Sequence, residues 1–181
     1  MKLDIEKVVE IPEGVIIEIT GDGVKVSKDG KVLEREFNLG RLKLVKGDKD
    51  IKVVCKGGTK REGKMAGTVA AHLYNLFSGI KEDFVYKLEI CNVHFPMNVK
   101  VEGEIVVIKS FLGETVDRKA KIVSGVKVEI KGNEITVSSP DREAAGQTAA
   151  NIEKATKVKG RDRRIYQDGI FITEKPGRIY E

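Results

Sequence analysis

The stretch TVAAHL, residues 68–73, recurs as QTAANI at residues 147–152, 79 positions further along the chain. Each copy has two alanines followed by a polar and then an aliphatic residue. Around both copies the apolar residues recur every three or four positions, which predicts an amphipathic helix with one buried face. The sequence therefore predicts a duplicated unit of roughly 80 residues, with one long helix in each copy.

The first predicted helix spans residues 60–77. It opens with TKRE at residues 59–62, a capping box in which Thr59 and Glu62 bond free backbone amides of the first turn. Its apolar stripe consists of Met65, Val69, Leu73 and Leu76. The helix is expected to bury this stripe and to end at Gly79, because glycine is a common helix stop signal.

The second predicted helix spans residues 140–158. Ser139 supplies a cap, Pro140 fits the first helical position, and Asp141 complements the positive end of the helix. Its apolar stripe consists of Ala145, Ala149, Ile152 and Thr156. The two helices therefore occupy equivalent places in the two copies.

Short strand-like runs precede each helix. Alternation of apolar and polar residues, as in VIIEIT at residues 15–20, and turn sequences such as GDG at 21–23 predict antiparallel hairpins with one exposed face. The predicted strands are residues 15–20, 24–27, 31–37, 42–46, 51–56, 85–93, 98–102, 105–110, 118–123, 126–131 and 134–138. The predicted fold class is α+β, with two tandem duplicated domains, residues 1–80 and 81–181, each a mainly antiparallel β-sheet region packed with one long α-helix.

The composition is that of a globular protein of 181 residues, 40% of them hydrophobic. No apolar run reaches the roughly 18 residues that a membrane span needs, and the first residues lack the uncharged core of a signal peptide. Cys55 and Cys91 lie in strand-like runs without metal-ligand spacing, so they are expected to be buried, reduced thiols. We therefore expect a cytoplasmic protein with no membrane partner.

Positive charge is concentrated in KATKVKGRDRR, residues 154–164. Six Lys and Arg residues stand against one acidic residue, Asp162, a local net charge of +5 that equals the formal charge of the whole chain. Such a cluster suits the phosphates of nucleic acid. It also fits a solvated helix end, because cations at a helix C-terminus complement the helix dipole. In that second case the chain would be a protein-interaction module.

Residues 58–64, GTKREGK, fit the GxxxxGK pattern of a phosphate-binding loop. They also follow a predicted strand and open a predicted helix, which is the context that such a loop requires. However, Met65 stands where Ser or Thr should hold Mg²⁺. A basic helix start that meets a phosphate backbone is the preferred interpretation. A phosphate-loop-like nucleotide-binding protein that uses Gly58 to Lys64 is the alternative.

The sequence contains no recognisable active site. His72 and His94 lack acidic or thiol neighbours at ligand spacing and are expected to be hydrogen-bonded structural residues. The aspartates that attract attention fall in turns or caps, where local hydrogen bonds explain them; they are Asp117, Asp141, Asp162 and Asp168. We predict no catalytic residue, no metal site and no cofactor.

Several stretches, in this order, resemble one family of known proteins. They are NLFSGIKEDFVYKLEI (75–90), HFP (94–96), SFLGE (110–114) and GRDRRIYQDGIFI (160–172). The chain resembles, over essentially its full length, the large-subunit ribosomal protein L-six family in its archaeal and eukaryotic branch. Tyr166 and Phe171 depart from it, because the two aromatic types are expected the other way round.

The resemblance implies two tandem domains of one duplicated fold and a structural, non-enzymatic role in the large ribosomal subunit. It implies binding to large-subunit ribosomal RNA near the sarcin-ricin loop and the stalk base, beside neighbouring ribosomal proteins and where translation factors dock. The C-terminal domain would carry most of the RNA contact. The predicted RNA-binding residues are Lys157, Lys159, Arg161, Arg163, Arg164 and Tyr166, with Lys175 and Arg178 in the tail and Arg118 and Lys119 on a neighbouring loop.

Overall fold

The computed structural model describes residues 3–28 and 30–179, except for the side chains of residues 3, 178 and 179. The chain divides into two compact units between Glu82 and Asp83. Each unit combines antiparallel sheets with one long helix. The predicted α+β fold class is therefore confirmed.

The first unit is built from six strands and one helix. They are β1 (Leu3–Glu10), β2 (Ile16–Thr20), β3 (Gly23–Lys28), β4 (Lys31–Glu36), β5 (Lys43–Lys46), β6 (Asp50–Gly58) and α1 (Lys60–Lys81). The strands form two antiparallel three-stranded sheets, in the orders β1-β6-β5 and β2-β3-β4. Helix α1 packs against β1, β6 and β3, so that the core lies between the helix and both sheets.

Side-chain periodicity explains this core. Along β6 the residues Ile51, Val53 and Cys55 are buried, because alternate side chains point to the same face of a strand. On α1 the buried stripe is Ala66, Val69, Leu73, Leu76, Phe77 and Ile80. Met65, a member of the predicted stripe, is only partly buried and packs against the core cluster.

The second unit has eight strands and one helix. They are β7 (Phe84–Cys91), β8 (Asn98–Glu102), β9 (Ile105–Lys109), β10 (Arg118–Lys121), β11 (Lys127–Lys131), β12 (Glu134–Ser139), α2 (Arg142–Ala155), β13 (Gly169–Lys175) and β14 (Arg178–Ile179). One sheet has the order β11-β12-β7-β13-β14 and the other β10-β9-β8, and all strand pairs are antiparallel. A short 3₁₀ helix, Phe111–Gly113, follows β9.

Helix α2 covers the larger sheet of this unit. Its residues Ala145, Ala149 and Ile152 are fully buried, as the predicted stripe requires. They pack in one cluster with Leu88 from β7 and Ile170 from β13. The small alanine side chains let the helix lie close to the strands, and the larger aliphatic residues fill the remaining space.

Each predicted strand is present with its ends shifted by at most two residues. However, β13 and β14 lie outside these predicted runs, and β1 was not predicted. Its sequence LDIEKVVE is rich in charge, and its burial comes from long-range pairing with β6, in which Val9 faces Ile51. Charged residues fit this strand because most of its described side chains are exposed.

The C-terminal end of α1 and the N-terminal end of α2 also differ from their predicted positions. Helix α1 continues through Gly79 to Lys81, because a glycine costs only about 1 kcal/mol in a helix and burial of the following Ile80 outweighs that cost. Helix α2 is capped by Asp141, whose side chain accepts from the Glu143 amide, and not by Ser139, which ends β12. No described helix is both long and apolar enough to cross a membrane.

Candidate nucleic-acid interface

Residues 156–168 connect α2 to β13 and are called the basic loop. The loop turns around Asp162, whose backbone carbonyl accepts hydrogen bonds from the amides of Ile165 and Tyr166 at 3.2 and 2.9 Å. The Asp162 carboxylate also accepts from the Arg164 amide at 2.9 Å. The single acidic residue of the cluster therefore fixes the turn that presents the arginines.

The Arg164 guanidinium pairs with the same Asp162 carboxylate at 2.8 Å. Its hydrogen bond holds the pKa of Asp162 below the usual value. The Arg164 side chain is nevertheless 90% exposed, so the pair lies on the surface of the loop. A solvated ion pair of this kind contributes little stability and can exchange partners.

An open groove of about 830 Å³ lies between the C-terminal end of α2, the basic loop and the adjoining ends of β7 and β13. It is called the cationic groove. Its residues are Cys91, Val93, Glu153, Lys154, Thr156, Lys157, Val158, Arg163, Arg164, Tyr166, Gln167, Asp168 and Phe171. Four of the predicted cluster's cations, Lys154, Lys157, Arg163 and Arg164, thus share one concave surface.

Tyr166 contacts other side chains of the same unit. The Arg161 guanidinium carbon lies 4.8 Å from the centre of the Tyr166 ring, a cation–π distance. The centre of the His94 ring lies 5.1 Å from the centre of the Tyr166 ring, and the two ring planes are inclined by 34°. Tyr166 therefore joins the basic loop to the segment after β7.

Asp168 anchors the end of the basic loop. Its side chain is 1% exposed and accepts from the His94 amide at 2.8 Å, while His94 Nδ1 lies 2.5 Å from its second oxygen. Burial would raise the pKa of Asp168, but the hydrogen bonds and charge of His94 outweigh burial and lower this pKa. The prediction of a local turn bond for Asp168 was wrong, because its partner is 74 positions away in the sequence.

The expectation that His94 is a hydrogen-bonded structural residue is confirmed by the same pair. The sequence did not identify Asp168 as its partner, because the two residues are 74 positions apart. The short HFP segment at residues 94–96, one of the stretches that carry the resemblance, draws attention to His94 but not to its partner.

Arg118 braces the junction between α2 and the basic loop. One guanidinium nitrogen donates to the carbonyls of Ala155 at 2.8 Å and Lys157 at 3.1 Å. Two others donate to Glu114 at 2.7 and 2.6 Å, and these bonds hold the pKa of Glu114 below its usual value. The guanidinium also lies 4.3 Å from the centre of the buried Phe111 ring.

The remaining predicted contacts do not line the cationic groove. Lys159 and Arg161 are exposed on the basic loop, and Lys119 is exposed on β10. Lys175 lies at the far end of β13, about 20 Å along the strand from Gly169. The backbone of Arg178 belongs to β14, and its side chain lies outside the described residues.

The alternative phosphate-binding loop is not formed at Gly58 to Lys64. The strand before it, β6, is antiparallel to both neighbours. The capping box is present: Glu62 accepts from the Thr59 amide at 2.7 Å, and Thr59 Oγ1 accepts from the Arg61 amide at 3.3 Å. The Gly57 amide donates to the Asp4 carboxylate at 2.8 Å. The Glu62 carboxylate thus already binds one backbone amide of this segment, and the Asp4 carboxylate binds the amide just before it.

Other chemistry finds no support in the described part of the chain. Within it no group of three or more His, Cys, Asp or Glu residues is placed to hold a metal ion. His72 lies beside the Phe37 ring, with 6.2 Å between ring centres. Cys55 is buried and Cys91 is partly buried, and both are free thiols.

The cationic groove thus places four Lys and Arg residues on one open surface of an α+β unit. The model of the ribosomal protein L6 family matches residues 95–169, which include the whole basic loop. The large ribosomal subunit protein uL6 of Methanococcus vannielii is 44% identical to this chain over 97% of it and 96% of the relative. The corresponding proteins of Methanosarcina mazei and Aeropyrum pernix are 43% and 45% identical, over 97% and 92% of this chain and 99% and 92% of theirs.

The chain belongs to the uL6 family of ribosomal proteins. The resemblance drawn from the sequence is thereby confirmed. The relatives are named as ribosomal proteins and not as enzymes, which also confirms the prediction of a non-enzymatic protein.

Proposed function

We propose that this chain, as a structural constituent of the large ribosomal subunit, binds large-subunit ribosomal RNA through the cationic groove and the basic loop. The proposal extends to the position implied by the resemblance, near the sarcin-ricin loop and the stalk base. Neighbouring ribosomal proteins would be further partners, and translation factors would benefit indirectly from a well-ordered docking region. The second unit, residues 83–181, is the main RNA-binding unit in this proposal.

The observation that carries the proposal is the convergence of four cations on one open surface. Lys154 and Lys157 come from the end of α2 and the start of the basic loop, and Arg163 and Arg164 from its turn. Lys154, Lys157 and Arg163 form no ion pair with any side chain that the structure describes. Their charge is therefore available to an external anion.

The geometry favours phosphate groups as that anion. Arginine presents a planar fork that matches two phosphate oxygens, and lysine supplies a mobile point charge. Phosphate contacts position a protein on nucleic acid without reading its sequence. The groove is open to the surrounding solvent, so an RNA phosphate can reach its cations.

The proposed function is tested by the double substitution Arg163→Ala/Arg164→Ala. Binding of the full chain to large-subunit ribosomal RNA is measured over a series of salt concentrations. We expect weaker binding, and the slope of log affinity against log salt should flatten by roughly 0.7 to 0.9 for each lost phosphate contact, because fewer counterions are released.

The matched control is Lys127→Ala/Lys131→Ala. This control removes two positive charges from β11, in the same unit. Strand β11 lies three positions from β13 in the sheet, or about 14 Å. The control should keep the wild-type slope. A double arginine variant with the wild-type slope and affinity would contradict the proposal and would favour a protein-interaction module with a solvated helix end.

A further inference from the structure

The cationic groove has an apolar side as well as a charged one. Val93 is 73% exposed and Phe171 is 38% exposed, and both line the groove together with Val158. Single exposed apolar residues are ordinary on a protein surface. Here they share one concavity with four cations, and a groove that bound only phosphates would not need them.

The ring of Phe171 is held at this surface by the backbone of β13. The neighbouring Ile170 is fully buried in the core, so the alternation of the strand places Phe171 on the opposite face. The ring lies against Gly169: a Cβ at that position would be 3.1 Å from the ring Cζ atom. The absence of a side chain at Gly169 therefore makes room for the ring.

The edge of β13 beside the groove is closed to a further strand. The Ile170 amide donates to Thr156 Oγ1 at 2.9 Å, and the Ile172 amide donates to Glu153 Oε1 at 3.3 Å. A peptide that added a strand here would need those amides. An occupant must therefore use the apolar surface and the cations of the groove.

We propose that the cationic groove receives one unstacked nucleobase of RNA against the Phe171 ring while Lys154, Lys157, Arg163 and Arg164 hold the flanking phosphates. The proposal rests on the proposed function and names the RNA feature that the same site prefers. The groove matches the two parts of a nucleotide. Its apolar side fits the flat face of the base, and its cations fit the two flanking phosphate anions. The groove, at about 830 Å³, falls within the roughly 300–1,000 Å³ of pockets that hold small ligands.

Such a site makes the protein selective for RNA that presents a displaced nucleotide. Bases splayed from a loop or bulge are the usual targets of aromatic side chains in RNA-binding proteins. Stacking on an aromatic ring tolerates any base, because every base has a flat face. The selectivity is therefore for the extruded conformation and not for a particular sequence.

The experiment compares three RNA duplexes that differ at one position. One carries a single bulged 2-aminopurine nucleotide, one an abasic bulge, and one is fully paired. The full-length protein should bind the 2-aminopurine bulge at least about 10-fold more tightly than the abasic bulge, because a base stacked on an aromatic ring contributes about that much. Binding should also change the 2-aminopurine fluorescence.

Phe171→Leu should bring the affinity ratio of the two bulged duplexes close to one, because leucine keeps apolar volume but has no ring. Phe171 is partly exposed, so this variant is expected to fold, which a thermal melt checks. The control Tyr74→Leu removes an exposed aromatic ring from α1, outside the groove, and should leave the ratio unchanged.

The two proposals fail in different ways. Arg163→Ala/Arg164→Ala should weaken binding to all three duplexes, so wild-type affinities in that variant would contradict the proposed function. Equal wild-type affinities for the 2-aminopurine and abasic bulges would overturn the nucleobase site while leaving phosphate binding intact. An affinity ratio that Phe171→Leu does not change would overturn it as well.

Discussion

Asp168, the last residue of the basic loop, has its carboxylate buried inside the second unit. Both of its oxygens are engaged by His94, through the backbone amide and the imidazole. The pair joins the end of the loop to the segment that follows β7. The loop can therefore carry many like charges at its surface because its base is fixed to the core.

Asp168→Asn should destabilise the protein by about 2 kcal/mol at neutral pH, because a buried hydrogen bond to a charged group contributes roughly 1.5–3 kcal/mol. Chemical denaturation of both proteins measures this difference in the free energy of unfolding. The variant keeps the size of the side chain. The lost stability therefore reports the negative charge and the second carboxylate oxygen that accepts from His94.

The same pair of proteins tests the pH dependence. The pKa of Asp168 is lower in the folded protein than its usual value of 3.8, so the carboxylate contributes fully above the unfolded pKa and loses its contribution as pH falls through the folded pKa. The stability difference between wild type and Asp168→Asn should therefore shrink below about pH 3.8. A difference that stays constant over this range would contradict an ionised Asp168.

Arg118 acts, in our interpretation, by positioning the basic loop. Arg118→Lys keeps the positive charge but cannot reach Glu114 and the two carbonyls together, because lysine lacks the forked guanidinium. We expect a loss of about 1–3 kcal/mol in the free energy of unfolding, measured by urea denaturation. If Arg118 only met an RNA phosphate, this substitution would leave stability unchanged.

At the scale of elements, helix α1 is fixed at its first turn by the capping box. Thr59→Ala removes the side-chain acceptor of the Arg61 amide and should cost about 1 kcal/mol of stability. The matched control is Thr68→Ala on the exposed side of the same helix, where the hydroxyl only donates back to the Lys64 carbonyl. Equal unfolding free energies for the two variants would argue against the cap.

The elements were predictable where a local pattern decides them. The capping box at Thr59 marks the start of a helix, and the stripe from Ala145 to Ile152 has a spacing that a helix satisfies. Strands such as β8 follow from alternation. Strand β1 was not predictable in this way, because its paired residues on β6 lie 40 to 55 positions away in the sequence. The end of α1 also depends on tertiary burial, which outweighs the local preference of Gly79.

At the scale of the whole molecule, the formal charge is +5, and residues 154–164 alone account for that excess. The two double variants proposed above both reduce the formal charge from +5 to +3. A difference between their salt slopes would therefore report where the charge lies and not how much of it there is. Long-range attraction by net charge alone would affect both variants equally.

The candidate site was predictable only in part for a related reason. Charge density identified the basic loop, because its cations are neighbours in the sequence. The groove also needs Val93 from the segment after β7 and Phe171 from β13, and these meet only through strand pairing, in which Cys91 faces Gly169. The contact between Asp168 and His94 depends on the same pairing.

The hydroxyl of Thr156 and the carboxylate of Glu153 have a consequence for the chain before it joins any assembly. An unprotected strand edge is a template on which other copies can add strands and aggregate. These two side chains cover the β13 amides beside the groove. A copy that has not yet entered a ribosomal subunit is therefore protected from aggregation through these two amides.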